Sequence, residues 1–138
     1  CGAWPTLAEA RGLERARRLR CGRCAADWAS RWLLCVYCGA DDHARLRSLV
    51  LVDGAGATPH LAPAAASVDA CTACRGYLKT ITTLVPTPAD ELGLVDLATV
   101  ELDVVALEQD YRRPSGLGAP LGARVQVRRG ARWRSWSR

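Results

Sequence analysis

The 138-residue sequence contains neither methionine nor phenylalanine, and its single lysine is Lys79. A hydrophobic core must therefore rely on leucine, valine, alanine and tryptophan. The length suits one domain or two very small ones. No apolar run is long enough to cross a membrane, and no secretory signal peptide is visible. Because an initiating methionine is absent, we expect a processed chain or a piece of a longer protein.

The usual signatures of catalysis are also missing. The sequence has no nucleophile–base set, no phosphate-binding loop and no metal site with an open position. Acidic residues gather between positions 90 and 110, but their spacing marks no acid–base pair. We therefore expect a protein that is not an enzyme.

The net charge is +5, and arginine is dense in residues 11–23 and 112–138. A basic chain is a candidate for nucleic-acid binding. Residues 132–138 add two tryptophans to three arginines, yet their composition favours a disordered tail. Nucleic acid is therefore not the expected partner.

Cysteine spacing is the most informative feature. A Cys-x-x-Cys pair bends around a metal as a knuckle, and two knuckles complete a tetrahedral four-thiolate site. Three such pairs argue against a thioredoxin-type site, which needs one, and a missing signal peptide argues against disulfides. The geometry suits zinc and iron alike. All cysteines except Cys1 lie in these pairs: Cys21 with Cys24, Cys35 with Cys38, and Cys71 with Cys74.

Cys1-Gly2 is interpreted as the end of a fourth pair whose first cysteine is missing. Pairing the second and third intact knuckles closes the shorter loop, which is a mild entropic preference. That pairing leaves Cys1, Cys21 and Cys24 as an incomplete set. We predict that the other four cysteines share one metal, while an interleaved arrangement stays open.

The remaining pattern indicates short strands. Residues 2–20 favour a hairpin with a turn near Gly12, although a short basic helix also fits their propensity. Further strands are predicted at 46–52, as a buried strand, at 67–70 and at 81–85. Trp28 and Trp32 are expected to pack over the metal sites. His43 and His60 are ligand candidates by type only, and solvated loop positions are expected for both.

A helix is predicted over residues 89–113, between two prolines. Val100, Val104 and Leu107 are expected to be its buried face. Aspartates one heptad apart would then face outward as a row. Such a row is often a solvated face, but we also consider it a partner-docking surface. Its members are Asp96, Asp103 and Asp110.

The ordered combination of these motifs resembles the formate dehydrogenase accessory protein family, FdhE, over residues 1–122. The matching stretches are Cys1-Gly2 with Trp4-Pro5, residues 19–28, residues 35–39, residues 71–79 and residues 96–103. The resemblance implies a cytoplasmic maturation factor, or chaperone, for molybdenum or tungsten formate dehydrogenases. It also implies two tandem rubredoxin-like sites that bind iron or zinc, and contact with the catalytic subunit.

The sequence departs from that family in three ways. The large helical N-terminal domain is missing, as is the first cysteine of the first pair. The tail after Gly122 has no counterpart in the family.

The expected fold is a small metal-bound α+β protein. Tandem rubredoxin-like or zinc-ribbon knuckles with short antiparallel strands precede a C-terminal α-helix. The predicted divisions are ribbons over 1–40 and 35–88, a helix over 89–113 and an irregular basic tail over 114–138.

The expected function is binding and maturation of the formate dehydrogenase catalytic subunit; a homodimer is left open. The alternatives are a nucleic-acid-binding zinc ribbon and an iron–thiolate redox sensor. The expected metal ligands are Cys1, Cys21, Cys24, Cys35, Cys38, Cys71 and Cys74.

Overall fold

The computed structural model describes residues 2–51 and 65–114. Cys1, His60 and the basic tail lie outside these residues, so the expectations for them stay predictions. The described residues form six strands and two α-helices. The strands are β1 (Pro5–Arg11), β2 (Ala16–Cys21), β3 (Asp27–Ala29), β4 (Leu46–Leu49), β5 (Ala66–Cys71) and β6 (Tyr77–Thr83), and the helices are α1 (Leu92–Ala98) and α2 (Val100–Glu108).

The six strands form one mixed sheet in the order β3-β2-β1-β6-β5-β4. Each half is a three-stranded antiparallel meander. The halves join through β1 and β6, which run parallel with Leu7 opposite Lys79. The predicted α+β class is confirmed, and the parallel junction is the one departure from antiparallel pairing among the described strands.

The hairpin predicted for the N-terminal stretch is confirmed. β1 and β2 pair in antiparallel register, and their connection begins at Gly12, whose φ of 74° is left-handed. Glycine adopts that conformation without a Cβ clash. The Gly12 N–H also donates to the Thr83 carbonyl at 2.9 Å, which anchors the turn to the end of β6.

Two predicted strands have different limits in the structure. β4 ends at Leu49, and Val50 and Leu51 are exposed. The prediction of a buried strand is wrong because β4 lies at the end of the sheet. β6 begins at Tyr77 and ends at Thr83, before exposed Leu84. The strand predicted at 67–70 is confirmed as part of β5.

The single helix predicted for 89–113 is wrong, because Thr99 separates two shorter helices. The Thr99 hydroxyl donates to the Val95 carbonyl at 2.9 Å and to the Asp96 carbonyl at 3.1 Å. Such back-bonding competes with the helical ladder. The Lys79 ammonium also donates to the Asp96 and Thr99 carbonyls, which stabilises the end of α1 as a cation does at a helix C-terminus.

The buried face of α2 also differs from the prediction. Val100, Val104 and Leu107 are about half exposed, whereas Leu102 and Ala106 are buried. The helix is interrupted at Thr99, and Asp103 of α2 forms an ion pair with Lys79 of β6 at 2.8 Å. Together these features turn toward the sheet a different face of α2 from the one that its apolar periodicity indicates. The helices cover one face of the sheet through a core cluster of Val68, Ala70, Tyr77, Leu102, Ala106 and Tyr111.

A smaller buried cluster lies on the opposite face of the sheet. Ala8, Leu19 and Leu78 form a buried cluster, against which Val36 and Tyr37 pack. Trp28 and Trp32 remain partly exposed. The Trp32 indole N–H donates to the Arg15 carbonyl at 3.2 Å. This hydrogen bond ties the ring to the turn between β1 and β2.

A buried carboxylate joins β1 to the chain that follows β6. Glu9 is fully buried and accepts hydrogen bonds from the Arg20 guanidinium at 2.7 Å and from the Thr87 backbone N–H at 3.0 Å. Burial disfavours its ionisation, but Arg11 and Thr87 outweigh that effect and lower the pKa of Glu9. Within 2–51 and 65–114, neither helix has the length and apolarity needed to span a bilayer.

Candidate metal centre

The three described Cys-x-x-Cys pairs share one backbone motif. The first cysteine donates its N–H to the carbonyl five residues later, and its own carbonyl accepts from the N–H four residues later. The first bond is 2.9 Å from Cys21 to Ala26, 2.8 Å from Cys35 to Ala40 and 2.9 Å from Cys71 to Gly76. The knuckle therefore folds from local bonds, which is why its spacing is readable in sequence.

The residue after each pair adopts a left-handed backbone. Its φ is 57° at Ala25, 74° at Gly39 and 60° at Arg75. Gly2, which follows Cys1, has a φ of 72°. The first described residue thus has the conformation that ends the three complete knuckles, as the interpretation of Cys1-Gly2 requires.

Two knuckles from different parts of the chain meet at one point. The Sγ atoms of Cys35, Cys38, Cys71 and Cys74 all lie within 4.8 Å of one another. Cys35 and Cys74 are 3.6 Å apart, and Cys38 and Cys71 are 3.8 Å apart. Four sulfurs placed about 2.3 Å from a tetrahedral zinc ion are about 3.8 Å apart. The cluster therefore has the size and the donor set to hold a metal.

The four thiols have unequal electrostatic environments. Burial raises the pKa of Cys35, and it raises the pKa of Cys74 to about 12. The Ala40 backbone N–H lowers the pKa of Cys38. A divalent cation bound here would supply positive charge that stabilises the thiolate form of these cysteines.

The remaining knuckle lies apart from this cluster. Cys21 is buried and Cys24 exposed, and the Arg23 backbone N–H donates to the Cys21 sulfur at 3.4 Å. Burial opposes ionisation of Cys21, but the backbone N–H groups of Arg23 and Cys24 lower its pKa. The six described cysteines form no disulfide. The predicted metal-binding role of Cys1, Cys21 and Cys24 stays a prediction.

Gly76 is required by packing rather than by backbone conformation. Arg75, not Gly76, adopts the left-handed conformation of the knuckle. A Cβ on Gly76 would lie 2.7 Å from the Tyr37 ring and 3.2 Å from the Cys74 sulfur. Glycine is needed here because the tyrosine packs directly against the metal knuckle. The Tyr37 hydroxyl also donates to the Tyr77 carbonyl at 3.0 Å.

Arg75 links this knuckle to the end of α2. Its guanidinium donates to the carbonyls of Gln109 at 2.6 Å and Asp110 at 3.2 Å, and lies 4.5 Å from the centre of the Tyr111 ring. The Arg75 carbonyl accepts from the Arg112 N–H at 2.8 Å. The four-cysteine cluster and the helical segment are therefore joined by a continuous set of bonds.

The predicted outward aspartate row is wrong in its geometry. Asp96 and Asp103 each lie 2.8 Å from the ammonium of Lys79, whose side chain is 0% exposed. Both also bind the guanidinium of Arg113, at 2.6 and 2.8 Å. Only Asp110 faces solvent, with its side chain 87% exposed. A buried cation requires such partners, and they turn two of the three carboxylates inward.

The ion pairs and hydrogen bonds of this network shift the pKa values of Asp96 and Tyr77. Burial opposes ionisation of Asp96, but Arg113 and Lys79 outweigh it and lower its pKa. Burial and the hydrogen bond to Asp103 raise the pKa of Tyr77 to about 12. Sequence analysis missed the network. The available signal was a single lysine just before a predicted strand, in a chain that otherwise uses arginine, together with two aspartates seven residues apart.

His43 agrees with its expected solvated position. It begins a one-turn 3-10 helix, His43–Arg45, and its side chain is exposed. It is not among the four clustered metal-ligand candidates found in the described part of the chain.

The fold and the cluster define a small α+β metal-ribbon protein with a four-cysteine centre. A curated FdhE homolog from Stutzerimonas stutzeri (strain A1501) is 33% identical over 125 residues, covering 87% of this chain. The crystal structure of the FdhE protein from Pseudomonas aeruginosa matches 85% of this chain with a TM-score of 0.64 and 28% identity. No family model matches the sequence.

These two matches confirm the resemblance to the FdhE family. The chain spans 37% of the curated relative and 38% of the crystallised one. The activity and partners of those whole proteins therefore enter here as proposals.

Proposed function

We propose that this chain is an accessory factor in formate dehydrogenase maturation and acts through a closed iron– or zinc–thiolate centre. The observation that carries the proposal is the four-sulfur cluster of Cys35, Cys38, Cys71 and Cys74 in an FdhE-like fold. Four thiolates fill a tetrahedral ion and leave no position for a substrate. The centre thus serves to shape a binding surface, and the proposed role is non-enzymatic.

The proposed partner is the formate dehydrogenase catalytic subunit, met in the cytoplasm before its assembly. The support is the FdhE resemblance together with a centre that rigidifies the knuckle surface. Of the aspartate row, Asp110 is the member with a carboxylate open to a partner. Asp96 and Asp103 are engaged by Lys79 and Arg113, so any part they have in docking is through the shape of the helical segment.

Association can be measured by biolayer interferometry between the metal-loaded chain and an immobilised catalytic subunit. We expect saturable binding to the formate dehydrogenase subunit and none to an unrelated molybdoenzyme subunit. The double variant Cys71→Ser/Cys74→Ser should lose both one metal equivalent and this binding. Binding that survives loss of that metal would contradict a role for the centre, and absent binding by the unaltered chain would contradict the partner.

Elemental analysis of the same variant tests the pairing of the knuckles. Because Cys21 and Cys24 lie outside the cluster of four sulfurs, any metal that they hold should be retained. Metal lost from Cys21 and Cys24 instead would show interleaved pairing. The analysis also distinguishes iron from zinc in protein from native cells.

The nucleic-acid alternative predicts tight, steeply salt-dependent binding to random DNA. In the described residues, several arginines are already engaged by carboxylates, including Arg11, Arg17, Arg18, Arg20 and Arg113. We therefore expect weak binding with a shallow salt dependence. A steep dependence would favour the ribbon as a nucleic-acid reader.

A further inference from the structure

A cavity of about 320 Å³ lies on the sheet face opposite the two helices. Ser67 and Asp69 of β5 line it, whereas the intervening Val68 packs under the helices, as alternation along a strand requires. Its apolar lining comes from the sheet and from the segment that enters the first knuckle of the cluster. These side chains are Leu33, Leu34, Val36, Leu46 and Leu78. The volume is within the range of small-ligand pockets, about 300–1,000 Å³.

A partly buried ion pair gives this cavity a fixed polar wall. Arg17 is 2% exposed and donates to the Asp69 carboxylate at 2.8 Å. Its other terminal nitrogen donates to the Arg31 carbonyl at 2.9 Å. Arg17 and Asp69 neutralise each other and hold the lining segment against the sheet, so the cavity is preformed.

The rim of the cavity carries uncompensated positive charge. Arg15 and Arg47 line it and are exposed. Among the described residues, neither has a carboxylate within salt-bridge distance. The Arg47 guanidinium donates to the Ala44 carbonyl at 2.8 Å and the Leu46 carbonyl at 3.0 Å, which holds it beside β4. An apolar cavity with a cationic rim selects an anionic ligand that has an apolar body.

The end strand of the sheet indicates which kind of ligand this is. Leu46, Arg47 and Ser48 of β4 line the cavity. Within the described part of the chain, β4 pairs with β5 alone. An end strand presents backbone groups on which an extended peptide can add as a further strand. A free small carboxylate can accept from one or two N–H groups at most, whereas an extended main chain pairs with both the N–H and the C=O groups along the strand.

We propose that this cavity and the outer edge of β4 bind an extended acidic peptide segment of a partner protein. One apolar side chain of the peptide fills the cavity, and its carboxylates lie beside Arg15 and Arg47. Main-chain pairing with β4 supplies affinity, and the cavity supplies specificity. The site is defined by peptide chemistry, so it does not depend on the partner being a formate dehydrogenase.

The test uses random peptides of about nine residues, a long strand length, displayed on phage and selected on the zinc-loaded full chain. We expect enrichment of sequences in which an apolar residue is flanked by aspartate or glutamate. The enriched peptide is then labelled, and its affinity is measured by fluorescence anisotropy. No enrichment, or enrichment of lysine-rich peptides, would overturn the proposal.

Matched variants locate the binding. Arg15→Glu and Arg47→Glu should each weaken the peptide about tenfold, because like charges repel across an interface. Leu33→Asp, at a side chain already 60% exposed, should abolish entry of the apolar side chain. Arg112→Glu makes the same charge change away from the cavity lining and should leave the affinity unchanged. Equal losses in all the arginine variants would show binding to net charge alone and refute the site.

Two further ligands test the strand addition. A peptide N-methylated at alternate residues loses one edge of backbone donors, and it should bind much more weakly. Equal binding of the methylated peptide would rule out pairing with β4. Free 4-phenylbutyrate should bind far more weakly than the peptide; equal affinity would reassign the cavity to small carboxylates. Metal content and circular dichroism of each variant confirm that the fold is intact.

Discussion

Replacing Asp103 with asparagine tests the buried charge network directly. One Asp103 oxygen lies 2.8 Å from the Lys79 ammonium. The other accepts from the Arg113 guanidinium and the Tyr77 hydroxyl, each at 2.8 Å. Asparagine keeps the side chain shape, removes the charge and replaces one acceptor with an NH2 donor. Among the residues that the structure describes, the fully buried Lys79 would then retain Asp96 as its only carboxylate partner.

The expected loss can be estimated from these contacts. Removing one partner of a buried ion pair costs about 3–5 kcal/mol. Asp103 is 20% exposed and Lys79 keeps one partner, so we expect about 2–4 kcal/mol in the free energy of unfolding. In a chain of this length, each kcal/mol shifts Tm by roughly 3–5 °C. Asp103→Asn should therefore lower Tm by about 6 °C or more.

Asp110→Asn is the matched control, since it makes the same chemical change in the same heptad row. Its side chain is 87% exposed, and asparagine tolerates the left-handed φ of 60° found there. The expected change is within about 0.5 kcal/mol. Circular dichroism melting of both zinc-loaded variants, with metal content measured, gives the comparison. The reasoning fails if the two Tm values agree to within about 2 °C.

Three further changes follow from the same contacts. Gly76→Ala should destabilise the fold and weaken metal binding, because the added Cβ would lie 2.7 Å from the Tyr37 ring. Its control is Gly93→Ala, whose Cβ meets no atom within 4 Å and which should stabilise the fold by about 0.5–1 kcal/mol. Urea denaturation and metal titration compare the two variants, and equal effects would contradict the packing argument. The folded-state pKa of Asp96 lies below its ordinary 3.8, so its stabilisation is complete above that pH and is lost as the pH falls below it. The difference in unfolding free energy between the unaltered chain and Asp96→Asn should therefore shrink below pH 3.8. A difference that grows in acid would contradict a lowered pKa for Asp96. Removing the metal should speed amide exchange in α2, since Arg75 joins the knuckle to the C-terminal end of α2. Amide exchange in β1 and β2 should change less. Equal exchange in α2 with and without metal would show that the metal centre and α2 are uncoupled.

The local features of this protein could be predicted from its sequence. The knuckles close through bonds between residues four and five apart, and Gly12 permits the left-handed turn of the first hairpin. The α+β class and the FdhE resemblance follow from such short motifs and their order. The pairing of two knuckles was predicted mainly from the incomplete set of Cys1, Cys21 and Cys24 that it leaves, because loop closure distinguishes the arrangements by little free energy.

The orientation of the helical segment was decided by tertiary structure alone. Helical periodicity marks Val100, Val104 and Leu107 as one apolar stripe, but it contains no information about a lysine on a distant strand. Burying Lys79 is costly unless carboxylates reach it, so Asp96 and Asp103 turn toward the sheet and the stripe turns toward solvent. The same long-range requirement divides the predicted helix at Thr99, where the Lys79 ammonium takes two backbone carbonyls.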